Sequence, residues 1–180
     1  LRNLASMVPS ALTVVILNYN GAKILKDTLF AAQEALPVGS ELLLVDNNSV
    51  DHSRSVARKA GVNVIGASDR HQFITGLNES FRYARHESVL FLSNDLILEK
   101  GSIASLLKTH QSVSKSIIQP VFKTLEGKIQ NVGMDMLWPG YGVSNKILGE
   151  FGPFFETEVF ATTAFIMSKE AFQEIGEFDE

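Results

Sequence analysis

Three apolar runs in this chain each break off into a short polar cluster. Leu12 to Leu17 leads into Asn18-Tyr19-Asn20, Leu42 to Val45 into Asp46-Asn47-Asn48-Ser49, and Val89 to Leu92 into Ser93-Asn94-Asp95. The runs are continuous rather than alternating, the pattern of strands covered on both faces, as in parallel sheets. Placed side by side and parallel, such strands deliver all three clusters to one edge of the sheet. That edge is where open α/β sheets bind their ligands.

The segments between the runs supply the helices such a sheet needs. Ile24, Leu25, Leu29, Ala32 and Leu36 are spaced as one face of a helix that Pro37 and Gly39 stop. A second helix follows with Ser49 as N-cap, Asp51 in its first turn, Val56 and Ala57 inward and Gly61 past its end. Val62 to Ile65 reads as another strand, and Asn78 through Arg85 as a short helix starting at Asn78. Ser102 caps a helix with Ile103, Leu106 and Leu107 inward. Beyond Ile117 the alternation loosens, until Val159 to Met167 and a last helix after Ser168 that buries Ala171, Phe172 and Ile175 and ends at Gly176. Repeating strand and helix units followed by a mixed second half indicate an α/β nucleotide-binding sheet with an attached acceptor-side region.

At 180 residues, 45% of them hydrophobic, the chain is long enough for one compact domain with a full core. Its net charge of -4 comes from mixed signs without a long run of either, so nothing favours nucleic acid as a partner. No apolar stretch reaches the roughly 20 residues a spanning helix needs, which leaves peripheral contact as the membrane association to consider. The absence of cysteine removes thiolate ligands and thiol catalysis, and fits a cytoplasmic setting. His52, His71, His86 and His110 are far apart and read as surface residues rather than zinc ligands.

Neither glycine-loop phosphate cradle follows the first strand, and Gly140-Tyr141-Gly142 completes neither pattern. A bound nucleotide diphosphate therefore needs another source of neutralisation. Asp95, at a strand's C-terminal end, suits Mg²⁺ or Mn²⁺, hard ions that also bridge diphosphate oxygens; the alternative is a turn-forming aspartate. For Asp46 the choice is between an Asx turn through Asn47 and Asn48 and a carboxylate that accepts the N3 hydrogen of uracil or thymine. Tyr19 offers a flat face for a base, and Asn18 and Asn20 fit either a turn or a ligand loop.

Read in order, Val15 to Gly21, Val45 to Asp51, Phe91 to Asp95, Phe160 to Met167 and Ile175-Gly176-Glu177-Phe178-Asp179-Glu180 resemble the family-two inverting glycosyltransferases, especially bacterial rhamnosyltransferase-like members that build surface polysaccharide. The resemblance implies the A-type glycosyltransferase fold, a sandwich with a central, mostly parallel sheet flanked by helices. It implies a UDP- or dTDP-sugar donor, a saccharide or lipid-linked acceptor, and a divalent Mg or Mn. It casts Asp46 as the base-reading acid and places Asn18, Tyr19, Asn20 and Asn47 in nucleotide-contacting loops. Asn94 and Asp95 then belong to the metal and donor motif, and Arg70 stands on the nucleotide side. The implied setting is the cytoplasm or the cytoplasmic face of the inner membrane.

Several residues depart from the family pattern. Ser93 stands where an acid or asparagine usually opens the metal motif, Asn47 replaces a frequent aspartate, Gln72 a common glycine, and Thr163 a frequent glycine beside the donor sugar. The general base of inversion usually belongs to a Glu-Asp pair farther along, so it is expected beyond Glu180, with Asp179 the candidate within the sequence. Residues 1–11 read as an N-terminal extension, in part vector-derived, and residues 12–180 as a transferase domain cut short at its C-terminus. Two other readings remain: a non-catalytic nucleotide-sugar-binding or assembly domain of the same fold, and a nucleotidyltransferase, for which the first loop lacks a glycine-rich basic clamp.

Overall fold

The structure, a computed structural model, describes residues 11–66, 73–113, 115–131, 134–137, 142–145 and 160–179. Its centre is a five-stranded sheet built from β1 (Thr13–Asn18), β2 (Glu41–Asp46), β3 (Asn63–Gly66), β4 (Ser88–Ser93) and β9 (Ala164–Ser168). The order is β3-β2-β1-β4-β9, with the first four strands parallel and β9 antiparallel to β4. Two small antiparallel pairs lie outside it: β5 (Phe122–Lys123) with β6 (Ile129–Asn131), and β7 (Met134–Leu137) with β8 (Gly142–Asn145).

The helices are α1 (Leu25–Ala35), α2 (Ser53–Lys59), α3 (Phe73–Tyr83), α4 (Ser102–Ser112) and α5 (Lys169–Ile175). Successive strand residues point to opposite faces, so each continuous apolar run feeds two cores. Val14, Ile16, Leu44, Leu90 and Leu92 pack with Leu25 and Leu29 of α1, Ala57 of α2, and Ile103 and Leu107 of α4. On the reverse face Val15, Leu17, Leu43, Val45, Val89 and Phe91 meet Leu77 and Phe81 of α3 and Phe172 of α5. Phe81 stacks on Phe172 with centroids 3.9 Å apart, and Phe91 on Phe165 at 4.7 Å.

Two-sided burial explains why β1 is apolar at every position between its ends. It also explains the strand order. The chain steps outward from β1 to β2 to β3 with α1 and α2 on one face, then returns across the sheet through α3 to β4, which lies on the other side of β1. A crossover of constant hand that reverses direction must put its helix on the opposite face. The reversal leaves a crevice between the C-terminal ends of β1 and β4.

Some local expectations give way to tertiary contacts. α3 begins at Phe73, not at Asn78, which lies mid-helix at 1% exposure. Ser49 does not cap α2, which starts at Ser53; Asp51 Oδ1 receives the Ser53 backbone N–H instead. Ser102 is the first residue of α4, whose N-cap is Gly101 in the left-handed conformation at φ 81°. Ser168 does cap α5, accepting from the Ala171 N–H at 3.0 Å, and Gly176 at φ 83° ends it, but Ile175 points to solvent. His110 is buried against its expected surface placement, and that burial pushes its pKa down despite the opposing charge of Glu87.

Candidate nucleotide site at the strand ends

Register brings the polar clusters together. Asn18 sits opposite Asp46 across β1 and β2, and Leu17 opposite Ser93 across β1 and β4. The Asn18 side chain, 2% exposed, spans all three strand ends. Its Nδ2 donates to Asp46 Oδ1 at 2.9 Å and to Ser49 Oγ at 3.1 Å, while its Oδ1 accepts from Asn94 Nδ2 at 2.7 Å. Every polar atom of this amide is used.

Asp46 is the charged end of the network and is fully buried. Oδ1 also accepts from Ser49 Oγ at 2.6 Å, and Oδ2 accepts from the Ser49 N–H at 3.0 Å and from Arg54 Nε at 2.5 Å. Burial alone would push this carboxyl up, but the donors from Ser49, Arg54 and Asn18 together outweigh it and hold the carboxyl below its ordinary range.

The first two loops are stitched to each other as well. The Asn20 N–H donates to Ser49 Oγ and the Val50 N–H to Asn20 Oδ1, both at 2.9 Å. The Asn47 N–H donates to the Asn18 carbonyl at 2.8 Å. Asn20 and Asn48 take positive φ, 49° and 58°, a conformation asparagine tolerates better than most side chains. Asp51 ties in the start of α1 by accepting from the Ala22 N–H at 2.9 Å, and Thr28 Oγ1 of α1 donates to the Asn94 carbonyl at 2.7 Å.

Two residues expected to contact a ligand have their side chains engaged within the protein. Asn18 is buried with every polar atom of its side chain bonded, the state of a group that frames a site. Asp46 has both oxygens engaged by protein donors, so a base would have to displace one of them. Asn47 differs: its Oδ1 has no hydrogen-bond partner among the described residues although it is buried, a costly state for an amide oxygen. Tyr19 is 59% exposed beside it in the first loop. Arg70 and Gln72 lie outside the described residues.

Asp95 follows β4 on the same edge, exposed, with no hydrogen bond or ion pair among the described residues. No group of three or more His, Cys, Asp or Glu side chains that could hold a metal occurs among the described residues. A lone carboxylate such as Asp95 would suit Mg²⁺ or Mn²⁺ only with ligand phosphates and water supplying the other oxygens, rather than an all-protein cage. Ser93 is occupied in the backbone, its N–H donating to the Thr163 carbonyl at 2.8 Å. Asp179 is exposed on another segment, following Phe178.

Ser49, Asp51, Arg54 and Thr28 complete this arrangement; in sequence Ser49 reads as part of the second polar cluster and Asp51 as part of a helix's first turn, and nothing singles out Arg54 or Thr28. The polar run from Asp46 to Asp51 signals a turn, but nothing local says that Ser49 serves two loops at once. Arg54 reaches Asp46 only because α2 starts at Ser53 and turns its first residues toward the strand end.

Residues 13–176 match the sequence model described as Glycosyl transferase family 2. The low-salt glycan biosynthesis hexosyltransferase Agl10 of Haloferax volcanii is 31% identical over 120 residues, covering 64% of this chain and 38% of that protein. Among solved structures, the mannosyltransferase PcManGT from Pyrobaculum calidifontis, in complex with GDP-Man and Mn²⁺, superposes with a TM-score of 0.69 at 15% identity, over 94% of this chain and 48% of that one. S. aureus TarS 1–349 superposes with a TM-score of 0.60 at 17% identity, over 92% of this chain and 49% of the other. The chain thus spans less than half the length of these relatives. The shared fold is that of A-type nucleotide-diphospho-sugar transferases.

Proposed function

The chain belongs to glycosyl transferase family 2, and on that premise we propose that it transfers a sugar from a pyrimidine nucleoside diphosphate to a hydroxyl acceptor with inversion, in the synthesis of a surface glycan or glycolipid. The observation that carries this reading is the hydrogen-bonded joining of three strand ends at the β1/β4 crevice, which leaves Asn47 and Asp95 as the groups still able to take a ligand. Agl10 is named for glycan biosynthesis and the mannosyltransferase complex holds a nucleotide sugar, which supports a nucleotide-sugar donor, while the pyrimidine base rests on the pairing read for Asn47.

In this reading Asn47, not Asp46, meets the base. A turn of its side chain lets the buried, unpaired Oδ1 accept the N3 hydrogen and the Nδ2 donate to a neighbouring ring carbonyl, a pairing that suits uracil or thymine. Tyr19 offers its ring to the base face. Asp95 would hold a divalent ion, which would supply positive charge to stabilise the departing diphosphate. The acceptor oxygen attacks the anomeric carbon as the bond from that carbon to the diphosphate oxygen breaks. The nucleoside diphosphate leaves with the electron pair, and the acceptor proton passes to a carboxylate base. One displacement inverts the anomeric centre.

Calorimetry with UDP, dTDP and GDP, with and without Mn²⁺, tests the site. UDP or dTDP is expected to bind best, with Mn²⁺ strengthening the interaction. Asp95→Asn should retain metal-free binding and lose the Mn²⁺ increment; an intact increment would move the ion to other ligands. Preference for GDP would overturn the base assignment, and failure of all three to bind would overturn the site. Asn47→Leu should weaken UDP binding by about tenfold, the worth of one buried hydrogen bond, without lowering the melting temperature.

A non-catalytic binding domain is the second reading, and the single carboxylate of the metal motif favours it. Donor turnover by the full-length gene product separates the two.

A further inference from the structure

Asn78 is a buried amide outside the network at the strand ends, and its partners lie a hundred residues along the chain. Its Oδ1 accepts from the Phe178 N–H at 3.0 Å and its Nδ2 donates to the Phe178 carbonyl at 2.9 Å. Both bonds go to the backbone of one residue, as a neighbouring strand would bond it. Leaving such a buried amide unpaired is costly, so the pairing fixes this peptide firmly. One turn along α3, Arg82 Nη2 pairs with Glu177 Oε1 at 2.6 Å on the surface.

The position of Phe178 gives the pairing a use. β9 begins at the ligand-binding edge, where Ala164 pairs with Leu92, and runs to the far edge, where Ser168 pairs with Ser88. α5 turns the chain back, and Gly176 releases it from the helix. The Phe178 ring then packs 5.7 Å from Phe172 and 6.4 Å from Phe165, one residue from the end of β9 at the ligand-binding edge. α3 is anchored under the same edge: a Cβ on Gly76 would stand 3.2 Å from Leu17 Cδ2 and 3.6 Å from Val45 Cγ1. The helix that props the nucleotide strands thus also grips the returning chain. The next residue is Asp179, exposed.

We propose that Asn78 is a positioning residue that holds the Phe178 peptide so that the Asp179 carboxylate stands on the acceptor side of the nucleotide site, where it accepts the hydrogen bond of the acceptor hydroxyl. This rests on the transferase reading above. Asn78 touches no substrate and acts through Asp179.

A double-mutant cycle of Asn78→Ser and Asp179→Asn in the full-length gene product tests it, with UDP-sugar donor, Mn²⁺ and a saccharide acceptor. Each single variant should lower transfer kcat/KM by about tenfold or more, chiefly through acceptor KM, and the double variant should fall no further than the worse single one. UDP affinity should stay within about twofold of wild type, and amide exchange at Phe178 should speed up in Asn78→Ser. Multiplicative losses in the cycle, or faster exchange with unchanged transfer, would overturn the proposal. If Asn78→Ser does not fold, Asn78→Asp, which keeps the acceptor for the Phe178 N–H and loses the donor, takes its place in the cycle. Wild-type protein that neither binds UDP nor turns over donor overturns the transferase reading and this proposal together; wild-type turnover with multiplicative losses overturns the role of Asn78 alone.

Discussion

Gly21→Ala should lose UDP binding by more than tenfold and destabilise the fold by about 2–4 kcal/mol, through overpacking plus a broken buried hydrogen bond. A Cβ at this position would stand 2.2 Å from Asn94 Nδ2 and 2.4 Å from Asn18 Oδ1, the two atoms that bond each other across the crevice. To make room, these two side chains would have to give up the bond between them. Asn18 is pinned by Asp46 and Ser49, and the Asn94 backbone carbonyl is held by Thr28. The added methyl breaks the bond that ties β1 to the loop after β4, which carries Asp95. Gly66→Ala is the control, because nothing lies within 4 Å of a Cβ there and the strand should accept it. Calorimetric affinity and thermal melting of the two variants would decide; a Gly21→Ala protein that binds UDP normally would show that the joined strand ends do not shape the site.

Asp46→Ala should cost the fold about as much. It leaves Asn18 Nδ2, the Ser49 donors and Arg54 without their shared acceptor. Removing one member of a buried pair typically costs 3–5 kcal/mol, and Arg54 keeps some access to water, so a loss of about 3 kcal/mol is expected. For a domain of this size that is a fall of roughly 6–12 °C in melting temperature. The same carboxylate makes stability depend on pH. Its folded pKa lies below the unfolded value, so its contribution is complete above the unfolded value and is lost as pH falls through the folded one. Wild type should weaken on acidification in that window, and Asp46→Ala should show a shallower acid slope. Denaturant midpoints measured from neutral pH downward would test this, and parallel slopes would count against it.

The strands of the sheet were legible because burial on both faces leaves a mark at every residue. Thr13–Asn18, Glu41–Asp46 and Ser88–Ser93 fall within a residue or so of the apolar runs that announced them. Helix starts were less legible. Phe73-Ile74-Thr75-Gly76 has poor intrinsic preference for a helix, and it is packing of Gly76 on Leu17 and Val45 that makes a helix begin there. Ser49 looked like a cap because serine before a polar turn usually is one, yet its hydroxyl is drawn to Asp46 by contacts of the fold.

The polar residues at the strand ends were recognisable as a group, while their division of labour was not. Asn18 and Asp46 occupy positions that sequence reads as ligand-facing, but their atoms are taken by bonds to each other, to Asn94 at 76 positions' remove from Asn18, and to Ser49 and Arg54. Such pairings follow from strand order, and strand order depends on the chain returning through α3 to the far side of β1. Asn78 carries the same lesson at greater range, since nothing near it in sequence points to Phe178.

The central place of β1 has a consequence for how this protein can change. Its neighbours on both sides are hydrogen-bonded strands, and both its faces are sealed by separate groups of helices. β3, by contrast, is a short margin strand with exposed ends. Thermal breathing should therefore begin at that margin and reach β1 last. The asparagine that joins the three loops grows from the most durable strand in the molecule, so a partial melting of the periphery can come and go while the ligand cradle keeps its shape.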